Sequence, residues 1–260
     1  MLRLAGVGGF LAYRALFNWT TPAVFVGSLL VAPVFQLLFF VYLGREIGTA
    51  DDNFYVLGNV LLSATGACVM GGTMAIANER QYGTLSAVLL SPRSRILLWG
   101  GRALPYVVNA LGVMLFTLFA AMLFVGIEMP ATKWPELFLA LLAGGFSATA
   151  FGIAIGSIGL RLRNTAVVAN VGYTVMILLT GTVLPHERLP AWLAAVGDVL
   201  PLTHSTEAAR ACSAGAESSV ILTYVWQEFL VGVGHTLVAA VLLRLFEWAG
   251  RRGRLSLDEA

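Results

Sequence analysis

The residues best suited to chemistry in this sequence are histidines and acids that gather in one short polar stretch. Histidine and carboxylate side chains bind catalytic metals and act as general acids and bases. The stretch starts with His186-Glu187, as a zinc-protease motif does, but Pro190 holds the position of the second histidine. We therefore predict no metal site, and an intramembrane enzyme such as a lipid-modifying transferase is kept as an alternative. The members of the stretch are His186, Glu187, Asp198, His204 and Glu207.

Nucleotide chemistry has no sequence support. A P-loop needs a lysine beside a glycine cradle to reach the phosphates, and the only lysine, Lys133, has no such cradle. Cys68 and Cys212 are too isolated to predict a disulfide framework or a metal site. The net charge of +2 gives no basic field for nucleic acid. We expect no cofactor in this chain and no nucleic-acid partner.

A few polar side chains lie inside long apolar runs, where burial is costly and a partner or cavity is expected. Asn170, Tyr173 and Thr174 could line a pathway or join helices. His235 could relay protons or touch a substrate, but a neutral histidine bonded to a neighbouring helix is the favoured reading. Glu228 is the only acid in these runs, and its place near one end predicts contact with water.

The elements that position these residues are membrane-spanning helices. Hydrophobic residues make up 58% of the chain and charged residues 12%, about half of the usual charged fraction of a soluble domain. A helix needs about 20 apolar residues to cross the hydrocarbon core. We predict an all-α, multi-pass integral membrane protein, a single domain with six spans: Pro22–Leu43, Phe54–Ala77, Ala103–Gly126, Leu137–Leu160, Thr165–Leu184 and Val220–Leu243.

The orientation follows from the basic residues, which are enriched on the cytoplasmic side. Twelve of the sixteen arginine and lysine residues fall in alternate connections that include both termini. We therefore expect the inner (plasma) membrane with both termini in the cytoplasm. Small residues spaced by four, Ala148, Gly152 and Gly156, predict close helix packing on the fourth span, and Gly66 with Gly71-Gly72 predicts the same on the second.

Three segments between or beside the spans are amphipathic. Residues 1–21 pair Arg3 and Arg14 with aromatic bulk, as an interfacial helix does. In the cytoplasmic connection, Thr84 is a plausible N-cap and Pro92 a stop, and Leu85, Val88 and Leu89 form a stripe that must dock on its own domain or another subunit. Residues 185–210 hold two short amphipathic pieces, which either dip into the outer leaflet or cap the outer end of the bundle.

Two motifs resemble those of type-2 ABC-transporter permeases, a family of exporter subunits that includes drug and polysaccharide export permeases. The first is Asn78-Glu79-Arg80-Gln81-Tyr82-Gly83-Thr84-Leu85, followed by Leu89-Leu90-Ser91-Pro92, where Gln81 replaces a second acid of the family pattern. The second combines Leu184-Pro185 and Leu189-Pro190 with Trp192, then Pro201-Leu202-Thr203-His204 and Arg210. The resemblance extends over essentially the whole chain.

The resemblance implies a role for each amphipathic segment. Residues 1–21 would be a connecting helix at the membrane surface, and residues 79–93 a coupling helix that docks on a separate ABC ATPase. Its docking residues would be Glu79, Arg80, Gly83, Thr84, Leu85, Val88, Leu89, Pro92 and Arg93. Residues 185–210 would form a re-entrant outer gate with Pro185, Leu189, Pro190, Trp192, Pro201, His204 and Arg210.

The function implied is that of a non-catalytic permease subunit of an ATP-driven exporter. Two ATPase copies would bind ATP and Mg²⁺, and a second permease chain, identical or paralogous, would complete the pathway among the membrane lipids. The scarcity of charge in the spans favours an amphipathic or lipophilic substrate such as a drug, natural product or lipid. A lipid-linked glycan exporter of the same family and a stand-alone secondary carrier are the alternatives.

Overall fold

The computed structural model describes residues 26–48, 51–81, 83, 95–159 and 164–251. Two predicted segments fall wholly or mostly outside these residues. The interfacial helix at 1–21 is one. The other is the greater part of the coupling helix, including Thr84, Leu85, Val88, Leu89, Pro92 and Arg93.

Every regular element in the described residues is helical, which confirms the all-α prediction. A π-helical stretch, Val26–Val31, leads directly into the first α-helix, and 3-10 turns at Ala131–Lys133 and His186–Arg188 follow later in the chain. The α-helices are α1 (Ala32–Ile47), α2 (Asp52–Gln81), α3 (Arg95–Phe124), α4 (Trp134–Gly159), α5 (Thr165–Leu179), α6 (Ala191–Asp198), α7 (Thr203–Ser213) and α8 (Ser218–Arg251).

Five helical stretches in the described residues are long and apolar enough to cross a membrane. They are Val26–Ile47, Asp52–Ala77, Leu104–Phe124, Ala131–Gly159 and Ser218–Leu245. The remaining run expected from the sequence, the fifth in chain order (Thr165–Leu184), contributes the 15-residue helix α5, which is shorter than the roughly 20 residues that a crossing helix needs. Large apolar side chains such as Phe35, Phe39 and Phe119 are exposed on the outside of the bundle, as lipid allows.

The end of α5 has a clear local cause. The Thr180 hydroxyl donates to the Met176 carbonyl at 2.7 Å, and Gly181 then takes a positive φ of 73° that turns the chain out of the helix. The carbonyl of Thr182 lies against Gly58 of α2, in space that a side chain at that position would occupy. Helix α5 therefore ends five residues before the predicted apolar run does, and the residues that follow it pack across the start of α2.

The two central helices, α2 and α4, pack backbone to backbone through glycines. A Cβ atom at Gly152 would lie 2.5 Å from the Val69 carbonyl oxygen, and one at Gly72 would lie 2.6 Å from the Thr149 carbonyl oxygen. The Thr73 hydroxyl uses this closeness to donate to the Gly152 carbonyl at 3.0 Å. These contacts confirm the packing role predicted for the small residues on both spans.

The remaining long helices surround this pair. Helices α1, α3 and α5 pack on α2, while α8 packs on α4. Gly71 of α2 faces the ring of Tyr106 on α3, and Gly232 of α8 faces Phe146 and Ser147 of α4. Residues 180–217 lie across one end of the bundle, where α7 contacts α2, α4 and α8. We call this end the capped end.

Candidate functional site

Helix α7 is the centre of the capped end, and it is more buried than its polar sequence predicts. Thr203, Ser205 and Thr206 are buried together with Ala208, Ala209 and Cys212. Two of the three hydroxyls bond to nearby backbone, as buried polar groups usually do: Thr203 donates to the Gly197 carbonyl at 2.6 Å and Ser205 to the Leu202 carbonyl at 3.2 Å. The second amphipathic piece of segment 185–210 therefore lies inside the cap of the bundle.

The carboxylate of Glu228, on α8, binds the beginning of α7. It accepts the backbone N–H groups of Leu202 at 2.8 Å, His204 at 3.1 Å and Ser205 at 3.1 Å. The hydroxyl of Ser147 on α4 contacts the same carboxylate. Glu228 is 0% exposed, so the sequence-based expectation that it reaches water is wrong. Its position near the end of the predicted span suggested contact with water, but residues 202–205 cover the carboxylate.

Leu202 has an unusual backbone for its residue type. Its φ of 79° is in the left-handed region, and Leu202 is the one residue other than glycine with a positive φ in the described chain. Its side chain is fully buried in the core, which explains why a leucine is held in this conformation. The turn aims the N–H groups of residues 202, 204 and 205 at Glu228.

Arg210 ties the second half of α7 to two other elements. Its guanidinium donates to the Gly181 carbonyl at 2.7 Å and the Phe54 carbonyl at 3.3 Å, and it lies 3.7 Å from the centre of the Phe54 ring. It also pairs with Glu207 at 3.3 Å. Burial lowers the pKa of Arg210, while Glu207 acts in the opposite direction. Arg210 thus joins α7 to the start of α2 and to the turn after α5.

The histidines and acids predicted to be the most chemically capable group are spread over the capped end. His186 Nε2 lies 3.8 Å from an Asp198 carboxylate oxygen, and His204 Nε2 lies 3.1 Å from the Asp198 backbone carbonyl. Glu207 instead pairs with Arg210. Within the described part of the chain, His, Cys, Asp and Glu side chains form no group of three or more that could hold a metal ion.

The other residues of segment 185–210 differ in exposure. Trp192 is 69% exposed on α6, and Val196 and Val199 are exposed beside it. Pro185 and Leu189 are half-buried, Pro190 is exposed and Pro201 is buried. Gly197 packs against the Leu179 carbonyl and the His186 ring, which fixes α6 on the end of α5. The exposed apolar face of α6 therefore points away from the bundle.

The four residues predicted to line a pathway lie in two places. Asn170 and Thr174 are exposed on one face of α5, with Val167, Val171 and Leu178. Tyr173 is half-buried, with its ring near Gly66 of α2. His235 bonds the Val231 carbonyl of its own helix at 2.9 Å and meets the Phe151 ring edge-on at 5.1 Å.

Phe151 of α4 separates these two places. One side of its ring meets His235, and its edge also lies against Gly172 of α5. No contact in the described structure joins His235 to Asn170, Tyr173 or Thr174. The sequence favoured a neutral histidine bonded to a neighbouring helix. In the structure, the His235 hydrogen bond is to its own helix, and the neighbouring helix α4 contributes an edge-on contact with the Phe151 ring.

Three of the predicted ATPase-docking residues, Glu79, Arg80 and Gly83, lie at the other end of α2. Glu79 and Arg80 are in the last turn of α2, which ends at Gln81. Gly83 follows with a positive φ of 66°, a conformation that favours glycine and ends the helix direction. Helix α3 starts at Arg95. The remaining docking residues lie outside the described residues.

Comparison with known proteins gives this architecture a family. The sequence pattern of the family described as ABC-2 type transporter matches residues 11–212, which is more than half of the chain. The chain is also 28% identical over 159 residues to "Probable multidrug ABC transporter permease YbhR" of Escherichia coli K12, and to the protein of that name in Escherichia coli O157:H7. The match covers 60% of this chain and 43% of either relative. The chain belongs to the ABC-2 type transporter family.

Proposed function

We propose that the chain is the membrane subunit of an ATP-driven exporter that moves amphipathic or lipophilic compounds out of the cytoplasm or the inner leaflet. The family match over residues 11–212 is the observation that carries this proposal. The relatives named as multidrug permeases support a lipophilic substrate class. The bundle supports it as well, because its described core holds a single fully buried acid, Glu228, whose donors are all protein groups.

Energy comes from a separate ABC ATPase, which binds ATP and Mg²⁺ in two copies per transporter. It docks on the coupling helix at residues 79–93, with Leu85, Val88 and Leu89 as the apolar plug and Glu79, Arg80 and Arg93 as the charged rim. The position of this segment between the ends of α2 and α3 supports the assignment, since α2 lies at the centre of the bundle and would carry a movement to the capped end.

The pathway needs a second permease chain, identical or paralogous. The exposed face of α5 supports this arrangement, because Asn170 places a polar amide side chain among apolar ones, where lipid offers no polar neighbour. The nearby Thr174 hydroxyl donates to the Asn170 carbonyl of its own helix. The capped end faces the outside as the gate, and both termini and the coupling helix face the cytoplasm. Residues 1–21 lie along the inner surface of the plasma membrane as a connecting helix.

The docking role is tested by Leu85→Asp combined with Leu89→Asp. Two carboxylates in an apolar contact would cost at least about 3 kcal/mol, so co-purification of the ATPase should fall by about a hundredfold. The measurement is the ratio of ATPase to permease after tag purification from cells that co-express the ABC ATPase of the same gene cluster. The permease itself should still insert and purify in normal amount.

Val196→Asp combined with Val199→Asp is the matched control, because both valines are exposed at the opposite end of the bundle. This variant carries the same added charge and should keep the ATPase at the normal ratio. An unchanged ratio in the Leu85/Leu89 variant would show that the ATPase docks elsewhere.

A further inference from the structure

Helix α7 begins without a cap of its own. The first N–H groups of a helix lack partners inside it, and a side chain at the N-cap position usually accepts one of them. Here the N-cap position holds Leu202, which has no accepting side chain. The nearest hydroxyls, those of Thr203 and Ser205, donate to the Gly197 and Leu202 carbonyls.

The missing acceptor comes from another helix, 23 to 26 residues away in sequence. Glu228 accepts three N–H groups from residues 202, 204 and 205, which lie within the first turn of α7. All three partners donate, so they suit the ionised carboxylate, which only accepts. A negative charge at a helix start is also favoured by the helix dipole.

The same carboxylate reaches a third helix. Its Oε1 atom contacts the Ser147 hydroxyl of α4, at a point where α4 is too closely packed for larger residues. A Cβ atom at Gly144 would lie 2.8 Å from the Ser205 hydroxyl, and one at Gly232 would meet Phe146 and lie 3.1 Å from the Ser147 Cα atom. Glu228 thus lies where α4, α7 and α8 meet.

We propose that Glu228 is a positioning residue that fixes the start of α7 to α8 and α4, so that this part of the outer gate moves as one body with both helices. The gate role of this segment rests on the proposed function. The attachment of α7 to α8 and α4 rests only on contacts within the chain. Arg210 holds the other half of α7 to α2 and the turn after α5. Helix α6, which exposes Trp192 and Val196, is held instead by the end of α5, through Gly197, and by the Thr203 hydroxyl.

Thiol labelling of the full chain in lipid nanodiscs tests this attachment. Thr206 is fully buried in the first turns of α7, and its hydroxyl has no hydrogen-bond partner. The substitution Thr206→Cys therefore introduces a buried thiol without removing a hydrogen bond. It is placed in a background with Cys68→Ala and Cys212→Ala and treated with a membrane-impermeant maleimide. We expect Glu228→Ala to raise the labelling rate by about tenfold or more, because the start of α7 loses its charged acceptor.

Three controls make the result specific. Glu228→Gln keeps one accepting oxygen and should give an intermediate rate. Gln227→Ala removes the exposed neighbouring side chain on α8 and should leave the rate unchanged. A chain that keeps Cys68, which is fully buried on α2, as its one thiol should remain protected when Glu228 is replaced by alanine.

Two results would overturn the proposal. An unchanged labelling rate of the Thr206→Cys reporter in Glu228→Ala would show that other contacts hold α7. Labelling of Cys68 in the same variant would show that Glu228 supports the whole bundle and does not position α7 in particular. Neither result depends on an ATPase or a substrate, so a failure of the proposed exporter function would be seen separately, as the absence of ATP-driven transport.

Discussion

Replacing Gly152 by valine should prevent the chain from being recovered in a folded form. A Cβ atom there would lie 2.5 Å from the Val69 carbonyl oxygen and 2.9 Å from the Val69 Cα atom, and backbone atoms cannot move aside as a flexible side chain can. The two central helices would have to separate, and the Thr73 hydroxyl would lose the Gly152 carbonyl. We expect a loss of at least about 3 kcal/mol. The measurement is the monodisperse fraction after detergent extraction, followed by thermal unfolding.

Gly112→Val is the control for this prediction. Gly112 lies inside α3, and a Cβ atom there would have nothing within 4 Å in the described structure. The control therefore makes the same change of residue in a helix without the backbone collision. Equal recovery of the Gly152 and Gly112 variants would mean that α2 and α4 do not pack in the way described.

Substituting Arg210 with methionine should release the second half of α7. The variant keeps much of the apolar bulk but loses two charged hydrogen bonds to carbonyls and the contact with the Phe54 ring, for a combined loss of about 3 kcal/mol. Cys212 reports the change directly, since it is 0% exposed, and burial raises the pKa of its thiol to about 11. Labelling of Cys212 at neutral pH, in a Cys68→Ala background, should become about a hundredfold faster.

Two further variants define what Arg210 contributes. Arg210→Lys keeps the charge but lacks the planar guanidinium, which lies over the Phe54 ring while it pairs with Glu207, so Cys212 should remain reactive. Arg244→Met removes an exposed arginine of α8 and should leave Cys212 protected. If Cys212 stays protected in the Arg210→Met chain, the guanidinium is not what holds α7 in place.

Close helix packing on α4 could be predicted from the sequence because it depends on spacing alone, although its partner α2 could not. Ala148, Gly152 and Gly156 lie four residues apart, which places them on one helix face whatever the rest of the fold does. The positions of most long helices were also predictable, because a helix that crosses the membrane must itself be a hydrophobic run of about 20 residues.

The fifth run shows where hydropathy stops being enough. Residues 180–184 count as part of an apolar run, yet the Thr180 and Thr182 hydroxyls bond to carbonyls of the preceding turn and Gly181 reverses the backbone. Whether a threonine continues a helix or ends it depends on what packs beyond it. Here that neighbour is Gly58, which is more than a hundred residues earlier in the chain.

The role of Glu228 was missed although the signal was visible. It is the only acid in the six apolar runs, and such a residue usually has a specific partner. The partners are backbone N–H groups of residues 202, 204 and 205, which carry no side-chain signature in the sequence. The sequence left open whether α7 dips into the outer leaflet or caps the bundle, and the hydroxyls of Thr203 and Ser205 bond to nearby backbone in its buried position.

Transport into inside-out vesicles is the most direct test of the proposal that this chain forms a pathway powered by another polypeptide. The chain is co-expressed with the ABC ATPase of its gene cluster, and a panel of fluorescent lipophilic dyes is added with ATP. We expect ATP-dependent dye accumulation that disappears when the P-loop lysine of the ATPase is replaced. Dye accumulation driven by a proton gradient in vesicles that contain this chain and no ATPase would contradict it.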